Sequence, residues 1–141
     1  MRFHEYAVGT VYVTPTVIVP LEEIIAFAEQ YDPQYFHVDE EKAKRGLFGG
    51  IVASGMHSVA LLNAQWVKMG YFGDDILGGL GIEVSWSRPV YPGDEIYGEF
   101  QIAEKTKSPG GNAGVVTVEL TGKKSDHKAF CQASMRVLVR V

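Results

Sequence analysis

A chain of 141 residues is long enough to bury a core without metal or disulfide staples, and short enough to be read as one domain spanning residues 1–141. A composition of 46% hydrophobic and 21% charged residues argues against disorder, and a formal net charge of −4 with no basic block argues against a nucleic-acid partner bound through its phosphates. The opening MRFHEYAVGT lacks the apolar core of a signal peptide, no apolar run approaches bilayer-spanning length, and the single Cys131 has no cysteine to pair with, so the expectation is a reduced cytoplasmic setting with no membrane association.

In chain order, VYVTPTVIV reads as a strand that Pro15 confines to a sheet edge or a bulge. Pro20 then stands at a first helical position, and Leu21, Ile24, Ile25 and Ala28 keep helical spacing up to the break at Asp32–Pro33. After a loop and a short helix, SGMHSVALLNAQWVKMGYF predicts a long helix from Ser54 to Phe72. Ser54 is its N-cap, and apolar residues cover most of its circumference, as in a helix wrapped by the rest of the fold.

Four alternating runs follow. Leu80, Ile82, Val84 and Trp86 share one face; Ile96, Gly98, Phe100 and Ile102 share the next; then come Val116, Val118 and Leu120, and finally Cys131, Ala133, Met135, Val137 and Val139. The breaks RPVYPGD, KSPGGN and KKSDHK are turn chemistry, too short for helical crossovers, so the four strands are expected as an antiparallel meander. A curved antiparallel sheet around one central helix, an α+β arrangement, is the simplest packing of these parts.

YDPQYFHVD carries the polar chemistry. Asp32 before proline is a common turn former, and a lone histidine such as His37 is commonly structural. Tyr31, Tyr35 and Phe36 make the loop partly apolar, however, which perturbs the proton affinities of a carboxylate and an imidazole held there. Converging on one water molecule, the two would make a site for hydration or dehydration.

FAEQYDPQYFHVDEEKAKRGLFGGIVASGMHSVALL followed by SWSRPVYPGDEI resembles the MaoC-like hydratase family, whose best-known members are (R)-specific 2-enoyl-CoA hydratases of the hot-dog fold. Asp32 and His37 fall on the family's acid and histidine, Asp39 on its trailing acid and Gly55 on the glycine that opens the central helix. The resemblance runs from about Leu21 to Val141 and departs where Asn-Pro usually precedes the histidine: here Gln34 and Tyr35 stand, with the proline moved to Pro33.

The resemblance implies a hydro-lyase that adds or removes water at the α,β position of an acyl-CoA thioester, with Asp32 and His37 activating a shared water. No cofactor is expected beyond the coenzyme A of the substrate, and no metal. The Gly55 N–H, at the positive end of the helix dipole, is suited to a thioester oxygen gaining charge, although a glycine is also what a tight helix entry needs. Gln34, in place of the amide that fixes the loop, and Asn63 are the candidates to support the acid, Asn63 lying on the helix stripe of Met56, Val59, Ala60 and Val67, where the resemblance implies a side chain that holds Asp32. Tyr31, Tyr35, Phe36, Met56 and His57 are candidates for the substrate pocket, and Arg88, Lys123, Lys124 and Lys128 for the coenzyme A phosphates. A homodimer joined edge to edge is expected by the same resemblance.

Three rivals remain. A metal site from Asp32, His37, Asp39 and His57 matches no closed zinc spacing. A hot-dog thioesterase usually places an acid on the central helix, and none occurs from Ser54 to Met69. A non-catalytic acyl-CoA-binding or structural hot-dog subunit is the rival from another class. Nucleophilic hydrolysis fits poorly, because VASGM lacks the first glycine of a nucleophile elbow and Cys131 falls on an inward strand position.

Overall fold

The computed structural model describes residues 1–141. Strand β1 (Val11–Val13) and strand β2 (Val17–Ile18) come first, then α1 (Leu21–Tyr31), α2 (Tyr35–Val38), α3 (Glu40–Lys44) and α4 (Gly55–Lys68), and last β3 (Ile76–Trp86), β4 (Glu95–Lys107), β5 (Ala113–Lys124) and β6 (Ala129–Arg140). Pro15 splits the first strand into two short pieces that both pair antiparallel with β4 at a sheet edge. Proline has no N–H to give a ladder, which is why the break falls there.

The six strands form one antiparallel sheet in the order β1-β4-β5-β6-β3, with β2 also on β4. The expected four-strand meander therefore holds only for β4, β5 and β6. Strand β3 pairs with β6, not β4. Extended chain covers about 3.3 Å per residue, so the segment 87–94 easily spans the roughly 14 Å that three strand spacings require. A short connection excludes a helical crossover, but it does not oblige the two strands to be neighbours.

On β4, β5 and β6 the inward positions are buried, and they close over the face of α4 that carries Ser58, Leu62 and Trp66. Trp66 is fully buried, stacked on Phe100 at 4.9 Å and ringed by Tyr12, Tyr71 and Phe72. This aromatic cluster fixes the depth and rotation of α4 in the sheet. Gly70, at φ +84, supplies the left-handed residue that turns the chain just past the helix.

The other flank of α4 is uncovered. Met56 and Val67 are half exposed, and so are Leu80, Ile82 and Trp86 on β3, which sequence alternation had assigned to the core face. β3 is the terminal strand: its Trp86 packs against Gly55 at the start of α4, and an apolar groove runs between the two elements. No helix is long and apolar enough to cross a membrane.

Candidate active site

Three pieces of backbone build the site. Helix α1 ends at Asp32, whose N–H still donates to the Ala28 carbonyl while its backbone leaves the helical region ahead of Pro33. The chain turns through Gln34 into the single turn of α2, which buries His37. The extended stretch before α4 then runs alongside: Val52 N–H donates to the Phe36 carbonyl at 3.0 Å, and Ala53 N–H donates to the Val90 carbonyl at 2.8 Å. These two bonds clamp residues 52 and 53 between α2 and the 87–94 segment. They deliver Ser54 and the N-terminus of α4 to the Asp32 side chain.

His37 Nδ1 lies 2.6 Å from the Val52 carbonyl oxygen. A carbonyl only accepts, so Nδ1 carries a proton and Nε2 is the ring atom left for chemistry. Nε2 lies 3.3 Å from Asp32 Oδ2. The carboxylate has two further partners: Gln34 Nε2 donates to Oδ1 at 2.8 Å and Ser54 Oγ donates to Oδ2 at 2.7 Å. Burial pushes the Asp32 carboxyl upward, but the hydrogen bonds from Gln34 and Ser54, joined by His37 in its imidazolium form, outweigh it and hold the group below the ordinary carboxylate value. Asp32 is accordingly an anion at neutral pH.

Asp32 and His37 open onto a cleft of about 530 Å³ whose walls include Phe36, Phe48, Val52, Met56, Trp86, Val90 and Phe130. Gly55 and Ser54 line it too. The N–H groups of Gly55 and Met56, the first two of α4, make no hydrogen bond within the chain, because Ser54's carbonyl takes only the N–H groups of His57 and Ser58. Two unpaired donors thus stand at the positive end of a 14-residue helix beside the Asp32–His37 pair. Trp86 lies so close to Gly55 that any Cβ there would meet its ring at 2.3 Å. The glycine is required by the tight contact as well as placed to offer its N–H.

Several expected residues lie elsewhere. Asn63 is absent from the partners of Asp32: it sits two turns along α4, on the apolar groove beside β3, because the packing of Trp66 turns the stripe of Met56 and Val67 away from the sheet. His57 is buried outside the cleft, stacked on Phe27 of α1 at 4.5 Å with its Nδ1 unpartnered, and burial pushes its imidazole down. Tyr31 is 64% exposed and packs on Phe27, while Tyr35 leans on Gly46; neither lines the cleft. The one-turn α2 rotates successive side chains apart, sending Phe36 and His37 inward and Tyr35 out.

Asp39 caps α3 by accepting from Lys42 N–H, so the four groups weighed for a metal do not converge. Burial pushes the Cys131 thiol up to about 11 and leaves it a core residue. Of the cations weighed for phosphate, Arg88 is held bidentate by Asp126, Lys123 by Glu99 and Lys124 by Asp94, while Lys128 alone forms no ion pair. Arg88 also lines the cleft. Ser54, Phe48 and Trp86 line the cleft and were not among the candidates read from the sequence. A serine just before a helix signals a cap, and nothing local shows its hydroxyl turning to a residue 22 positions earlier.

The family model described as "MaoC like domain" matches residues 4–124. The uncharacterised protein YdeM of Bacillus subtilis is 34% identical over 141 residues, covering 99% of each chain. The MaoC-like dehydratase of Rhodospirillum rubrum is 32% identical with a TM-score of 0.91, over 99% of this chain and 97% of the other. The R-hydratase PhaJ1 of Pseudomonas aeruginosa, at 23% identity and a TM-score of 0.77 over 99% of this chain and 85% of the other, shares the hot-dog fold.

Proposed function

The chain belongs to the MaoC-like domain family, and from that premise we propose that it hydrates 2-enoyl-CoA thioesters to 3-hydroxyacyl-CoA, or runs the reverse dehydration. The family supports a hydratase or dehydratase in general. One observation carries the finer assignment: Asp32 Oδ2 and His37 Nε2, 3.3 Å apart, face a largely apolar cleft next to the unpaired N–H groups of Gly55 and Met56.

Hydration of an enoyl thioester needs water activated at the β-carbon, a proton delivered to the α-carbon and a donor for the enolate oxygen. With Nδ1 fixed by the Val52 carbonyl, His37 Nε2 offers a lone pair to water, and the Asp32 anion orients that water and stabilises the imidazolium that forms. The water oxygen bonds to the β-carbon while its proton passes to Nε2. The α-carbon, carrying the electron pair of the former double bond through the enolate, then takes a proton back from the same pair. Charge on the thioester oxygen falls beside the Gly55 and Met56 N–H groups, where the helix dipole favours it.

Coenzyme A enters this reading as part of the substrate, and no cofactor is called for. A second copy of the chain is proposed to pair along the free edge of β3, whose exposed Leu80 and Ile82 leave an apolar edge that a monomer does not cover. Asp32→Asn and His37→Gln, each checked for folding, are expected to lower crotonyl-CoA hydration by about 10²–10⁴-fold, the usual weight of a general acid or base. Near wild-type turnover in both refutes the assignment. Binding of crotonyl-CoA without turnover by the wild-type chain would favour a binding subunit, and release of free coenzyme A a thioesterase.

A further inference from the structure

We propose that Ser54 is a positioning residue for this reaction, acting by turning its hydroxyl away from the helix it precedes and onto Asp32. The inference rests on the hydratase reading above and adds a residue to it. Ser54 is fully buried and stands at the N-cap of α4, where a serine side chain ordinarily accepts a hydrogen bond from the second or third N–H of the helix. It makes no such bond. The hydroxyl instead donates to Asp32 Oδ2, the oxygen that also faces His37 Nε2.

Two consequences follow from this one rotamer. Oδ2 is held between Ser54 and His37 while Gln34 holds Oδ1, so the carboxylate cannot rotate its reacting edge out of the cleft. The N–H of Met56, which a capping serine would occupy, stays free beside that of Gly55 for the thioester oxygen. Ser54 thereby couples the water-activating side of the site to its oxyanion side. The titratable groups facing Asp32 are few: His37 on α2, and across the cleft Arg88, already paired with Asp126. Helix α4 has no acidic side chain in its first turn, and the His57 of that turn stacks on Phe27 of α1, outside the cleft.

The test is Ser54→Ala, with Ser54→Thr as the variant that keeps the donor. Asp32 is followed by its carboxyl ¹³C titration, alongside kcat, KM and the pH profile for crotonyl-CoA. In Ser54→Ala the Asp32 titration and the acid limb of kcat both move to higher pH, because a bond to the ionised form has been removed. The kcat falls about 10- to 100-fold, the range expected of a hydrogen bond to a charged group, with KM changed far less. Ser54→Thr keeps the wild-type titration. An Asp32 titration unmoved by Ser54→Ala overturns the proposal, whatever happens to stability. The titration does not depend on turnover: absence of hydration by the wild-type chain would sink the hydratase reading, and the Asp32 shift would still decide whether Ser54 holds the carboxylate.

Discussion

Replacing Gly55 by alanine sets a methyl group against the Trp86 indole. Its Cβ would lie 2.3 Å from ring Cε2, 2.5 Å from Nε1 and 2.8 Å from Cδ2, whereas carbon–carbon contacts settle at about 3.5–4.0 Å. Either the ring or the first turn of α4 must move by more than about 1 Å, and overpacking of that order costs roughly 1–3 kcal/mol. Trp86 is 49% exposed, so the ring has room on its outer side, which puts the expected cost near the lower end, about 1–2 kcal/mol. Alanine keeps the N–H, so any loss of activity in folded protein reports displaced geometry rather than a missing donor. The assay is urea unfolding of Gly55→Ala, Trp86→Leu and the double variant. The smaller leucine relieves the contact, so the double-variant cycle is expected to show coupling of about 1 kcal/mol or more. Additive effects, or a Gly55→Ala variant as stable as wild type with unchanged tryptophan emission, would refute the argument that the ring dictates this glycine.

Trp66→Ala empties the centre of the aromatic cluster and is expected to cost about 3–5 kcal/mol in urea unfolding; a loss under 1 kcal/mol would show that Trp66 does not pin α4. Burial lowers the His57 proton affinity, with Glu23 opposing, so the folded chain resists a proton that the unfolded chain accepts. Stability is therefore lost as pH falls from about 6.5 toward the lower folded value, and His57→Phe is expected to flatten that slope; equal slopes in thermal melts at pH 7 and pH 5 would contradict it. Ile82→Lys with Leu80→Lys puts charge on the free edge of β3 and is expected to give a monomer by sedimentation velocity, whereas an unchanged assembly would place the interface elsewhere.

Strand pairing shows how far local pattern reaches. Period-2 alternation located β4, β5 and β6 and their inward faces, because each of those faces is covered by the same helix and burial enforces the alternation. The same alternation on β3 carried no information about cover. Its Ile82, Val84 and Trp86 line a groove, and its partner is β6 because the 87–94 segment carries the chain past two strands. Sequence spacing bounds how far a connection reaches and leaves open which neighbour it reaches.

The residues themselves dictated an α+β chain with a long apolar helix, a strand that Pro15 confines to a sheet edge or a bulge, a helix ended at Asp32–Pro33 and an acid and histidine five positions apart. All of these follow from backbone preferences and periodicity that act over a few residues. Tertiary structure alone decided what those groups do to one another. Val52 fixes the His37 tautomer, Ser54 and Gln34 hold Asp32, Trp86 explains Gly55, and the rotation of α4 about Trp66 carries Asn63 away from the carboxylate. Apart from Gln34, these partners come from segments separated along the chain. Only long-range packing sets the ångström distances on which hydrogen bonds and proton affinities depend.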